Sequence, residues 1–232
     1  MILLELDGVS KRYRNGQRET IVLEEVSLQI TAGELVMVWG ARRSGRSTLL
    51  RIAAGIETPD TGTVRFEGGQ LSEGTLGTGV GYVAKTLRSA EEQGVVEQVA
   101  AVLLARGIAV GEANARARRA LAQAGAERCA ARKVSELGGG EALRVAIARS
   151  LALAPKLLVI DEPVATVEAA ERDDVLELLR KLTAAGVGVL ASTGEPDQLA
   201  GAQRALTLRD GELHGPAVAK MGAVVELRRQ AR

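Results

Sequence analysis

The stretch from Leu35 to Ala54 constrains this chain more than any other. Leu35–Trp39 is an apolar run that reads as a buried strand, and Leu49-Leu50-Arg51-Ile52-Ala53-Ala54 reads as helix. Between them lies Gly40-Ala41-Arg42-Arg43-Ser44-Gly45-Arg46-Ser47-Thr48. Strand, glycine loop and helix start, in that order, aim backbone amides and the positive end of a helix at one point, which suits a polyphosphate. The P-loop spacing G-x-x-x-x-G-K-[ST] places lysine where this chain has Arg46. A planar guanidinium is bulkier than an ammonium and seeks bidentate partners. Phosphate affinity therefore survives in this reading while catalytic geometry does not. In isolation the loop also reads as a tight connection, and the motifs further along decide between the two.

Leu3 to Val9 alternates like an edge strand, and Asn15-Gly16 is a hairpin turn signal. Val22 to Ile30 and Thr63 to Glu67 are further short strands, giving a small antiparallel layer beside the glycine loop. Tyr13, just before the hairpin, offers a ring face for stacking or a half-buried strand aromatic. Glu57 to Gly62 reads as a turn and Gly79 to Ala84 as a strand ending at Lys85. From Glu91 to Lys133 the texture becomes Ala-rich helix, with Val95–Arg106 and Glu112–Ala124 as the clearest segments, an inserted lobe. Gly138-Gly139-Gly140 then precedes a helical run from Ala142 to Leu153. The triplet either exposes amides to an anion or forms a hinge.

Leu157-Leu158-Val159-Ile160-Asp161-Glu162-Pro163 carries more information. Four apolar residues ending in two acids read as a parallel strand delivering carboxylates at its C-terminal edge, where α/β proteins bind ligands. Beside a P-loop the first acid suits Mg²⁺ and the second suits orienting water. The alternative is a capping acid and a turn before Pro163. Glu168 to Leu182 is an amphipathic helix, Val187 to Ser192 another buried strand and Ala205 to Leu208 a last one. The tail beyond Gly215, with Arg228, Arg229 and Arg232, is basic and carries no assigned function.

Bulk properties narrow the classes. A net charge of +1 predicts no strong attraction to nucleic acid. One cysteine, Cys129, and one histidine, His214, exclude an intrachain disulfide and Cys- or His-based metal clusters. Charge arrives too early, at Glu5 and Asp7, for a signal peptide, and no apolar run approaches the roughly 20 residues of a membrane span. If the chain works at a membrane, a partner supplies the spans. Arginine makes up 24 of the 30 basic residues, which offers a drift explanation for Arg46.

The order of P-loop, helical insertion, Leu137-Gly138-Gly139-Gly140-Glu141 before a helix, and Leu157 to Pro163 resembles the nucleotide-binding domain of ATP-binding cassette (ABC) transporters. The likeness runs from Leu3 to about Leu213, and Arg144 to Leu151 matches the helix after the family's signature motif. Val9 to Tyr13 and Leu23 to Leu28 look most like the lipoprotein-release, macrolide-export and cell-division branch. The resemblance implies an α/β fold: a P-loop NTPase (RecA-like) core at 1–88 and 134–215 with a small antiparallel β layer, an inserted α-helical lobe at 89–133, and a tail at 216–232. It implies that ATP lies against Tyr13 and residues Gly40 to Thr48, with Mg²⁺ at Ser47 and Asp161. It also implies that Gly138, Gly139 and Gly140 face a nucleotide held by a second such domain, in a homo- or heterodimer.

Departures accompany the match. Family members carry Lys at Arg46, Gln at Lys85, Ser at Gly138 and His at Gly194, while Ala165-Thr166-Val167-Glu168 replaces Ser-Ala-Leu-Asp. Glu162 keeps the base position. Lys85 is expected to face solvent, its alternative being a cation near the terminal phosphate. The expectation is an ATP-binding subunit at the cytoplasmic face of the membrane, docked on a transmembrane permease, that hydrolyses ATP slowly or not at all. Its alternative is an active ATPase powering export. A third class, soluble ABC proteins of repair or translation, usually joins two cassettes or adds coiled coil, and neither is visible here.

Overall fold

The computed structural model describes residues 1–16, 18–71, 79–85, 92–165, 167–199 and 201–215. Thr166, residues 89–91 of the expected lobe and the basic tail lie outside the described residues. Along the chain run β1 (Ile2–Asn15), β2 (Arg18–Thr31), β3 (Leu35–Trp39), α1 (Arg46–Ala53), β4 (Thr61–Phe66), β5 (Gly69–Gln70) and β6 (Val80–Val83). Next come α2 (Val95–Leu104), α3 (Val110–Gln123), α4 (Gly139–Leu151), β7 (Leu157–Ile160), α5 (Arg172–Ala184), β8 (Gly188–Thr193), β9 (Arg204–Arg209) and β10 (Glu212–His214).

The strands form two sheets, ordered β2-β1-β4-β5 and β10-β9-β3-β8-β7-β6. The first is antiparallel; in the second only β10 runs against its neighbour. The larger sheet is covered on both faces, which is why its strands read as apolar runs rather than alternating ones. Val36 and Val38 of β3 face the antiparallel sheet and α1, packing with Leu4, Leu23 and Leu50. Leu35 and Met37 face the other way, toward the helices, with Val99, Ile147 and Leu179. Period-two alternation within one strand thus feeds two separate cores.

Several expectations need correction. β1 is not an edge strand: it lies between β2 and β4, and β4 is supplied by residues too distant for a local pattern to reveal. The turn expected at Glu57 to Gly62 stops short, because Thr61 and Gly62 already belong to β4. The glycine triplet is not a hinge: α4 starts at Gly139, with Gly138 as its N-cap. Glu141 explains this, since its Oε2 accepts the Gly138 amide at 3.1 Å, the return half of a capping box. That amide, followed by Arg132, holds the Glu141 carboxyl below its usual range. The buried stripe of Val145, Ala148 and Leu151 then holds the helix on the core. The helix expected from Glu168 begins at Arg172, preceded by a short 3₁₀ turn at Ala169–Glu171.

Candidate functional site

Strand register assembles the site. In the parallel pair of β3 and β8, Trp39 lies opposite Thr193, and in that of β7 and β8, Ile160 lies opposite Ala191. The three strands therefore end together, and the loops leaving them meet there: Gly40 after β3, Gly194 after β8, and Asp161 with Glu162 after β7. The Gly40 amide donates to the Thr193 carbonyl at 3.3 Å, closing the seam between two of these loops. This is the C-terminal edge at which parallel sheets receive ligands.

The glycine loop has the shape its sequence predicts. Gly45, the N-cap of α1, takes φ 98°, and a Cβ there would stand 2.6 Å from the Val22 carbonyl oxygen, so no other residue fits. Arg43 adopts φ 65°, an uncommon conformation that orients the loop. Among the described residues the amides of Gly45, Arg46 and Ser47 make no intrachain hydrogen bond, as expected at a helix start. Ser44 carries a buried, unpartnered Oγ beneath the loop. Ala41, Arg42 and Arg43 are exposed around the rim, Arg42 and Arg43 adding positive charge. These features fit a phosphate group.

Arg46 does something the sequence does not announce. Its side chain is 7% exposed, and Nη2 donates to Glu162 Oε1 at 2.7 Å. Nη1 donates to the Thr193 carbonyl. The other carboxylate oxygen of Glu162 accepts from Lys85 Nζ; Lys85 is exposed, as expected, and its ammonium is also paired. Gly194 borders the cluster: a Cβ there would sit 3.4 Å from Arg46 Nη1, at the limit of ordinary contact. Positions 46 and 85 thus meet on Glu162, and position 194 borders Arg46. Glu162 itself sits at φ 48°, with its amide donating to Ser192 Oγ at 3.0 Å.

Asp161 is buried, and Ser192 Oγ donates to its Oδ1 at 2.7 Å. An acidic side chain there and the Ser47 hydroxyl at the start of α1 are hard oxygen donors of the kind Mg²⁺ takes together with phosphate. Among the described residues no group of three or more His, Cys, Asp or Glu forms a metal site, so any such ion would rely on the nucleotide for its remaining ligands. Tyr13 is fixed at the other end. Its hydroxyl donates to Glu57 Oε1 at 2.5 Å and accepts from Arg51 Nη2 at 3.1 Å, with Thr48 Oγ1 at 3.3 Å. Lys11 Nζ lies 5.9 Å from the ring centroid, which leaves the opposite face to a planar ligand.

Residues 23–165, more than half of the chain, match the ABC transporter family. The chain belongs to that family. The ABC relatives include the lipoprotein-releasing system ATP-binding protein LolD of Chromohalobacter salexigens, 36% identical over 220 residues that cover 91% of this chain and 93% of LolD. Among solved structures, the dimeric bacterial ABC transporter cassette MJ0796 superposes with a TM-score of 0.83 at 28% identity, covering 91% of this chain and 96% of that one. A post-hydrolysis state of MJ0796 bound to ADP and Pi gives 0.82 at 28% identity, with the same coverage. The ABC assignment agrees with the fold: an α/β cassette with an antiparallel sheet and a helical lobe.

In this ABC cassette, sequence reasoning missed the residues that hold the named ones. Ser192 bridges Asp161 and the Glu162 amide, and its signal was the polar pair Ser192-Thr193 ending the otherwise apolar strand β8. Glu57 and Arg51 clamp Tyr13, with no sequence signal beyond being an acid and a base near a turn. Gly138, Gly139 and Gly140 open α4 and do not join the cluster around Glu162 within one chain. Replacement of Tyr13 by alanine is expected to weaken Mg²⁺–ATP binding by one to two orders of magnitude, the range of about 1–3 kcal/mol for a base stacked on an aromatic ring. Titration calorimetry on both chains checks this, and an unchanged Kd would remove Tyr13 from the site.

Proposed function

We propose that this chain is the ATP-binding cassette of a membrane transport complex whose own site holds nucleotide but turns it over slowly or not at all. It docks on a transmembrane permease at the cytoplasmic face and pairs with a second cassette, acting as a structural or regulatory subunit. The likeness to LolD supports an export system of the lipoprotein-release class. Among the described residues no helix is long and apolar enough to cross a membrane, which fits spans supplied by the permease.

One observation carries the reading: Glu162 is tied by both carboxylate oxygens to Arg46 and Lys85. A general base must reach the proton it takes at hydrogen-bond distance and must be free to accept it. Here the base position is spent on two cations, and one of them is the residue that replaces the P-loop lysine. Losing one charge-stabilising donor typically costs 10²–10³ in rate. The test is titration of the purified chain with Mg²⁺–ATP alongside a phosphate-release assay. Binding without release is expected, and steady release would overturn the reading.

A second reading, an active ATPase powering export, draws on the retained Asp161-Glu162 pair, which Ser192 holds in order. Glu162→Gln separates the two. It abolishes turnover in an active ATPase and leaves the phosphate-release trace unchanged in a static site.

A further inference from the structure

We propose that the site selects a nucleoside diphosphate over a triphosphate, with the Arg46 guanidinium occupying the space that a terminal phosphate would need. The inference rests on the reading of a nucleotide-holding site and names its ligand. In a P-loop the side chain at this position reaches the β- and γ-phosphates. Arg46, the first residue of α1, instead crosses to the ends of β7 and β8. There it is buried between the Thr193 carbonyl and Glu162, with Lys85 on the far side of that carboxylate.

Charge and sterics agree. The guanidinium, the ammonium and the carboxylate together leave one net positive charge at the ends of β7 and β8, carried in part by the first residue of α1, and a terminal β-phosphate is attracted to it. A third phosphate would have to push the guanidinium aside. It would break a buried ion pair and bring its own negative charge beside Glu162, both unfavourable. Gly194 leaves the guanidinium open on this side: a Cβ would already touch it, at 3.4 Å from Arg46 Nη1 and 3.6 Å from Nη2, and a larger side chain would compete for the same space. A diphosphate ends before the cluster. It meets the Gly45, Arg46 and Ser47 amides and the outer edge of the guanidinium, whose remaining N–H groups suit phosphate oxygens.

The experiment is calorimetric titration of the full chain with Mg²⁺–ADP and with Mg²⁺–ATP under identical conditions. Phosphate release is followed in the ATP arm. ADP is expected to bind at least tenfold more tightly than ATP. In the variant Arg46→Lys/Lys85→Gln/Gly194→His the ratio is expected to fall to unity or invert. Equal or tighter ATP binding by the unaltered chain, with no phosphate released, would overturn the diphosphate assignment while leaving the static-site reading intact. Binding of neither nucleotide would overturn both.

Discussion

Glu162→Ala should destabilise the folded chain by about 3 kcal/mol, the low end of what removing one partner from a buried ion pair costs. The effect comes from what is left behind. Lys85, half exposed, relaxes into water at little cost. Arg46 cannot, because its side chain is 7% exposed and its other donor remains on the Thr193 carbonyl. A charge loses its counter-ion without gaining solvent. Glu162 keeps a 16% exposed side chain, and this residual access to water is why the low end of the range applies. For a chain of this size each 1 kcal/mol moves Tm by about 2–4 °C, so a fall of roughly 6–12 °C is expected in calorimetric melting. Adding Arg46→Ala should recover part of the loss, because the orphaned charge is then gone. A single-variant loss below about 1 kcal/mol, or strict additivity in the double variant, would mean that the pair does not bind Glu162 in solution.

Restoring hydrolysis should require all three replaced positions together. Groups that act as a unit in catalysis are grossly non-additive. Arg46→Lys alone leaves Glu162 on Lys85, and Lys85→Gln alone leaves it on Arg46. Gly194→His alone forces an imidazole against the guanidinium, whose Nη1 lies 3.4 Å from where the new Cβ would be. The triple variant frees Glu162, returns a compact ammonium to the P-loop and has room for the histidine. Its phosphate release is expected to exceed that of the unaltered chain by at least 10²–10³, the size of one recovered donor. Each single reversion is expected to stay within tenfold of the unaltered chain. If Arg46→Lys alone restored full activity, the three positions would be independent, and the coupling argued from their placement would be wrong.

Much of the fold could be read directly from the residues. Leu35–Trp39 and Leu157–Ile160 announce strands buried on both faces, and the glycine loop announces a tight passage from strand into helix. The legible part is local. Misses arose where the deciding partner is remote. The alternation of Leu3 to Val9 shows one buried face but does not show that β4 pairs on the far side of β1. Lys85 and Glu162 are 77 positions apart, and Arg46 and Glu162 are 116 apart, so no window of sequence contains either pair. The family resemblance named the departures at 46, 85 and 194 only as separate losses. Their placement shows that two of them supply cations to the same carboxylate and that the third borders one of those cations. Of the two readings of the glycine triplet, the helix start holds and the hinge does not, because a capping acid one residue further along, Glu141, fixes the turn.

The close approach of Gly194 to Arg46 also sets an itinerary. A histidine at 194 would bring its Cβ to 3.4 Å from Arg46 Nη1, at the border of ordinary contact, with a whole ring beyond it. With lysine at 46 the guanidinium is gone and the ring has no such neighbour, whereas histidine introduced first meets it. An engineer who makes both changes should therefore find the lysine-first order the easier path.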